Sequence, residues 1–176
     1  VIFLLALASF AFYRWHYGPT IFLGSQTVDV LQNSDRVEVL KIIADDYGID
    51  RKESGNTQNV VGGHPITDVG KTLDKNSTSR LGETLTERGM YFPFGGFDPF
   101  GCGLAPGLAF RFTKGAATVN VLACYQCQHL IFLTRDENRK VSSYVTPYAV
   151  NKLKPFFQQG FPQDKKLFDR EIDSDN

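Results

Sequence analysis

Ala117-Thr-Val-Asn-Val-Leu-Ala-Cys124-Tyr-Gln-Cys127-Gln-His129-Leu-Ile-Phe-Leu-Thr134 joins the most strand-like run of the chain to two of its three cysteines. Val119, Val121 and Ala123 alternate with Thr118, Asn120 and Leu122, the period of two that half-buries a strand. Just upstream, Leu108, Phe110 and Phe112 alternate with Ala109, Arg111 and Thr113. Lys114-Gly115 lies between the two runs, with glycine able to take the positive φ of a tight turn. Two such strands around so short a connection predict an antiparallel hairpin. Leu130–Thr134 continues as strand after the cysteines.

Working outward, Arg36–Ile43 alternates as a strand after the turn signal Asn33-Ser34-Asp35, and Asp45–Asn59 reads as a polar surface loop. Val60–Ile66, with Gly62, Gly63 and Pro65, suits a strand end and a tight turn. Leu81 and Leu85 lie four apart behind the capping candidates Asn76–Ser79, which predicts a short helix over 77–88 stopped by Gly89. Gly82 inside it costs about 1 kcal/mol against alanine, so this helix must lean on its neighbours. Met90–Pro106 is dense in Phe, Gly and Pro and reads as an ordered loop whose rings plug the core. Asp136–Lys140 is a charged turn before an edge strand over Val141–Val145. Thr146-Pro147 opens a helix over 147–159, apolar at Val150, Leu153, Phe156 and Phe157, with Pro155 expected to kink or shorten it.

These elements predict an α+β domain: an antiparallel sheet of about four or five strands with two short helices on one face, preceded by an N-terminal apolar helix. The expected division is a membrane anchor or signal-like helix over 1–17, a single domain over 18–162 and a charged tail over 163–176. The uncharged run Val1–Tyr13, followed by Arg14-Trp15-His16-Tyr17, has the composition of a bilayer segment and its interface. Thirteen residues fall short of the about twenty a span needs, so the anchor reading expects the run to extend upstream of Val1. The alternatives are the end of a signal peptide, with Ala6-Leu7-Ala8 as a faint cleavage site, and a buried core helix.

At 176 residues, 42% apolar and 22% charged, the chain has the make-up of one folded domain. Nineteen basic and nineteen acidic residues cancel, leaving no electrostatic footprint for nucleic acid. No Gly-x-Ser-x-Gly elbow is present, and the glycines of 95–103 lack the strand–turn–helix setting of a phosphate or dinucleotide loop. Asn76-Ser77-Thr78 matches a glycosylation sequon that matters only in a eukaryotic secretory host.

Cys102, Cys124, Cys127 and His129 give the only metal-like spacing, four soft or imidazole donors suited to a structural zinc of the Cys3His type. Against it, zinc Cys-x-x-Cys pairs sit on tight knuckles, whereas this pair interrupts an apolar strand, where residues three apart face opposite sides. A bulge or turn at Tyr125-Gln126 would be needed to bring them together. A disulfide in an oxidising compartment and three buried thiols acting as small hydrophobes are the other readings. A redox site would need a helix N-terminus after Cys124, and the apolar run Leu130–Phe132 is not one. Arg111, the sole charge in its strand, is the candidate ligand contact, held between Phe110 and Phe112 to meet a carboxylate or phosphate. The plainer reading turns it outward on the solvated face of the hairpin.

Taken in order, the Val37-Glu38-Val39 strand, the Gly62-Gly63-His64-Pro65 turn and the Leu81/Leu85 helix leading to Tyr91 precede Cys102…Pro106-Gly-Leu-Ala-Phe-Arg111. Then come Val119-x-Val-Leu-x-Cys124-Tyr-x-Cys127 and a closing helix ending near Phe161-Pro162-x-Asp164. Over roughly 28–168 the series resembles a family of uncharacterised bacterial proteins, often anchored or exported, of planctomycete-like genomes. Its most specific pieces are Pro-Gly-x-Ala-Phe-Arg and Cys-aromatic-x-Cys, and Tyr125 stands where Phe is more usual. The family has no assigned activity, so the resemblance supports the fold more than a function.

The expectation is a membrane-anchored, extracytoplasmic domain in the periplasm or cell envelope, or else secreted. It would be a binding or structural module rather than an enzyme, without a cofactor and with the membrane as its partner through the N-terminal segment. The alternative is a thiol- or metal-dependent protein built on Cys102, Cys124, Cys127 and His129, with structural zinc.

Overall fold

The computed structural model describes residues 18–43, 60–91, 107–125, 128–134 and 140–164. The expected anchor over 1–17, residues 92–106 of the aromatic loop expected over 90–106, and all but the first two residues of the charged tail lie outside them, while Met90 ends a short 3-10 turn and Tyr91 bridges to Val145. Among the described residues no helix is long and apolar enough to cross a membrane.

The hairpin at the centre forms as the alternation predicts. Strands β4 (Leu108–Lys114) and β5 (Ala117–Cys124) pair antiparallel from Leu108↔Ala123 to Lys114↔Ala117. At the turn Gly115 takes φ +54°, and its N–H donates to the Asp35 carboxylate at 2.7 Å. On one side β4 pairs with β1 (Arg36–Ile42), which in turn pairs with β3 (His64–Val69). On the other, β5 pairs with β6 (His129–Thr134) and β6 with β7 (Lys140–Tyr144). The order is β3-β1-β4-β5-β6-β7, antiparallel throughout, with the two-residue β2 (Val60–Val61) on the outer side of β3. Among the described residues the sheet thus has six strands and this short addition where about four or five were expected, and β7 is the edge strand that was expected.

The uncounted strand is β3. Its side chains are half-buried or exposed, so it carries no apolar alternation to announce it. It is held by backbone pairing to β1, with a register shift at Lys41/Ile42.

Among the described residues a further helix joins the two expected on the covered face. The additional one is α1 (Ser25–Gln32), which buries Thr27, Val30 and Leu31 and starts after Gly24 at φ +85°. Residues 18–23 form a separate helical turn just before it. Helix α2 (Lys75–Leu85) begins earlier than predicted because Asp74, not a residue of 76–79, caps it by accepting from the Ser77 N–H at 2.8 Å. That hydrogen bond, followed by one from Gln159, holds the Asp74 carboxyl below the usual range. Helix α3 (Pro147–Gly160) is capped by Thr146, whose hydroxyl accepts from the Ala149 N–H. It continues through Pro155 rather than ending there. Pro155 and Asn151 both sit on its exposed side, where water can satisfy the carbonyl that proline leaves without a donor.

The helix-covered face is one continuous core. Val37 and Val39 of β1, Phe110 and Phe112 of β4, Val121 of β5 and Phe132 of β6 meet Leu31, Leu81, Leu85, Leu153 and Phe157 of the helices. Strands that bury only one face would show polar residues on the other. Here Leu40, Ile42, Ala109, Leu122, Ile131 and Leu133 form a second buried cluster on the opposite face with Val61. The cover is the β2–β3 turn. A Cβ at Gly62 would lie 2.4 Å from Leu133 Cδ1 and 3.1 Å from Leu122 Cδ2, although β5 and β6 stand several strands away along the sheet. The sheet therefore curls until its first edge closes over its far strands. That double burial explains why Leu130–Leu133 is apolar without a break.

Candidate functional site

The cysteine stretch is not one interrupted strand. β5 ends at Cys124, β6 begins at His129, and the chain reverses between them. The Gln128 N–H donates to the Tyr125 carbonyl at 3.2 Å, and Gln128 takes the left-handed φ of +50°. The turn that the metal reading required is therefore present, and the expectation that the pair interrupts a continuous strand is corrected. Cys124 and His129 are direct cross-strand partners, about 4.5–5.5 Å apart between Cα atoms in such a pair. They are buried to 5% and 4% exposure and share a face. A sulfur and an imidazole nitrogen so placed can reach one centre at the about 2.0–2.3 Å of zinc ligation. Cys127 and Cys102 lie outside the described residues. Among the described residues no three metal-ligating side chains converge.

Tyr125 fixes this turn from the helix side. Its ring meets Phe157 of α3 edge-on at 5.5 Å, and burial pushes its hydroxyl well above the usual phenol range. Tyr125 is thus a neutral packing residue at the mouth of the cysteine turn.

Arg111 lies on the face covered by the β2–β3 turn, at the end of the sheet away from Cys124. Phe110 and Phe112 point the other way, fully buried under the helices, so the rings do not clamp the guanidinium. Register places Glu38, Arg111 and Asn120 side by side on β1, β4 and β5. Arg111 Nε donates to Asn120 Oδ1 at 3.3 Å, and its Nη1 is 3.7 Å from Glu38 Oε2. Glu38 also pairs with Arg36. The carboxylate facing Arg111 is thus an internal one. Sequence reasoning left Glu38 unpaired with it because only the register of β1 on β4 brings the two together.

A groove of about 450 Å³ lies where the C-terminal end of α2 meets α3, lined among others by Gln32, Arg80, Glu83, Thr86, Glu87 and Lys152. Gln32 Nε2 donates to Thr86 Oγ1 at 3.0 Å, and Lys152 donates to Glu87. The Glu87 hydrogen bond, then one with Tyr148, raises the Lys152 pKa. Lys152 is thereby held as a cation, unsuited to act as a base or nucleophile near neutral pH. No residue of this groove was singled out in the sequence, since its members lie on three separate elements. His64, left without a role, donates through Nδ1 to the Ile43 carbonyl at 3.2 Å.

No protein-family model, no curated protein and no solved structure matches the chain.

Proposed function

We propose that the chain is a membrane-anchored, extracytoplasmic binding or structural module, attached through residues 1–17, with no catalytic role for its described charges. The observation that carries this reading is the junction at Gly18. The apolar and interfacial residues 1–17 are followed without a linker by the helical turn over 18–23, which is packed into the domain. Leu23 is fully buried and the Phe22 ring meets Tyr91 edge-on at 4.9 Å. The charges at half-buried positions serve architecture: Arg111 with Glu38, and Lys41 with Asp164 at 2.7 Å while its ammonium lies 4.5 Å from the Phe161 ring.

The test is extraction of membranes at alkaline pH. The native chain is expected to stay with the bilayer, and the double substitution Leu5→Arg, Leu7→Arg to release it. Each arginine near the centre of a bilayer segment costs about 2.5–3.5 kcal/mol, so the bound fraction should fall by roughly tenfold or more. Release of the native chain at high salt or alkaline pH would sink the anchor.

A second reading is favoured by the Tyr125–Gln128 turn: Cys124, Cys127 and His129, with Cys102, hold a structural zinc that pins the hairpin end to the aromatic loop. The prediction is about one equivalent of zinc per chain in the purified protein, with thiols that react only after denaturation in the presence of a chelator. Three thiols reactive on denaturation alone, together with no zinc, would dispose of it; a thiol count reduced by two would mean a disulfide.

A further inference from the structure

We propose that Arg111, besides its pairing with Glu38, binds a carboxylate carried by a ligand from solution. This gives the binding-module reading a ligand class, and it rests on described residues alone, not on how the chain is anchored. The first observation is a charge count. On the face away from the helices, register sets Glu38, Arg111 and Asn120 in one row and Arg36, Thr113 and Thr118 in the next. Two guanidiniums share one carboxylate there. The neighbouring charges are engaged elsewhere: Lys114 is paired with Asp29, and the Asp35 carboxylate accepts from the Gly115 N–H. One positive charge is left over.

The second observation is a set of open donors. Glu38 accepts a hydrogen bond from Arg36, whereas Arg111 Nη1 stands 3.7 Å from Glu38 Oε2, an ion pair beyond hydrogen-bond length. Of the N–H groups on Arg111, only that on Nε is engaged, by Asn120 Oδ1 at 3.3 Å. Its two terminal nitrogens have no acceptor within hydrogen-bond distance among the described residues. They form the fork that grips a carboxylate through parallel bonds. The Asn120 contact orients this fork and leaves the amide Nδ2 as a further donor beside it. Thr113, two residues along β4 and about 7 Å away between Cα atoms, brings a hydroxyl to the same face.

The third observation is the setting. The Arg111 side chain is 28% exposed, and its row borders the buried row of Leu40, Ala109 and Leu122. Leu133 continues the Arg111 row beyond Asn120, and the β2–β3 turn closes over it at Gly62. The donors thus stand against an apolar wall, where water competes less for them than on an open surface. The count also selects the ligand. A carboxylate supplies the single negative charge that is lacking, whereas a phosphate monoester, at about −1.5 to −2, would crowd surplus charge against Glu38.

The test is a titration of the isotope-labelled full chain in zwitterionic detergent micelles with N-acetylglycine at constant ionic strength. The Arg111 Nε–H and Asn120 side-chain amide signals are followed by nuclear magnetic resonance. Saturable shifts are expected with a Kd of about 1–10 mM, the range of a single bidentate contact, and none with the neutral N-acetylglycinamide. Arg111→Lys keeps the charge, loses the fork and should weaken binding about tenfold. Glu38→Gln removes the competing carboxylate and should tighten binding about threefold or more. A purely architectural Arg111 predicts neither the native shifts nor that gain. Absence of saturable shifts in the native chain, or equal shifts with the amide, overturns the proposal, and the native titration decides it should either variant fail to fold. Tighter binding of inorganic phosphate than of N-acetylglycine overturns the assignment to a carboxylate. None of these signals reads membrane retention, so failure here leaves the anchor standing.

Discussion

Replacing Gly82 with alanine is expected to destabilise the protein by about 3 kcal/mol, although alanine is the better helix former by about 1 kcal/mol. Gly82 lies on the buried side of α2, where α1 crosses it. A Cβ there would come 2.1 Å from the Leu31 carbonyl oxygen, 2.9 Å from its carbon and 3.1 Å from the Gln32 Cα. All three are backbone atoms, so no rotamer change can relieve the contact and α1 would have to move as a body. Moving it disturbs Val30 and Leu31, both part of the helix-side core. The loss is a large share of the about 5–15 kcal/mol that stabilises a typical domain. Urea unfolding followed by circular dichroism measures it as a lowered midpoint at unchanged slope. A midpoint that rises, as propensity alone would have it, contradicts the close crossing of α1 and α2.

Phe157→Ala is expected to cost about 3–5 kcal/mol. Phe157 is fully buried on α3, stacked on Phe110 of β4 with centroids 3.9 Å apart and interplanar angle 26°, and it receives the edge of Tyr125. Truncation removes the apolar transfer energy and leaves a ring-sized cavity between a helix, the central hairpin and the cysteine turn. Its neighbours are a long helix and an interior strand, which cannot collapse into the space. A second consequence separates this residue from other core positions. Because Tyr125 loses its support, amide exchange over 124–129 should accelerate more than in the β1–β4 pairing. A loss below about 1 kcal/mol, or uniform acceleration, would speak against Phe157 as the link between α3 and the turn.

The elements that were legible are those whose pattern is local. Alternation in Leu108–Thr113 and Thr118–Ala123 with Gly115 between them led to the hairpin, although its turn is Gly115-Ala116 and not Lys114-Gly115, and Thr146-Pro147 led to the start of α3. What was illegible depends on contacts distant in sequence. Helix α1 buries only three of its eight residues, one of them Thr27, so its stripe is faint. Strand β3 presents no apolar face. The second core follows from Gly62 meeting Leu122 and Leu133, which no local window contains. Gly82 and Gly160 show the same limit. Each looks like a helix weakness or a helix end, yet a Cβ at Gly160 would lie 2.5 Å from the Val39 Cβ, so that glycine lets α3 close on β1. Among the candidate site residues, spacing alone raised Cys124, Cys127 and His129. The turn that makes their meeting geometrically open became visible only where β5 ends and β6 begins.

The proposed disposition of the domain outside an anchoring membrane is tested most directly by protease added to cells whose cytoplasmic membrane is intact and exposed. Digestion of residues 18–164 from outside, with a cytoplasmic marker protein spared, is the predicted result. Survival of the full-length chain until the membrane is lysed, with the isolated protein digested under the same conditions, would contradict it.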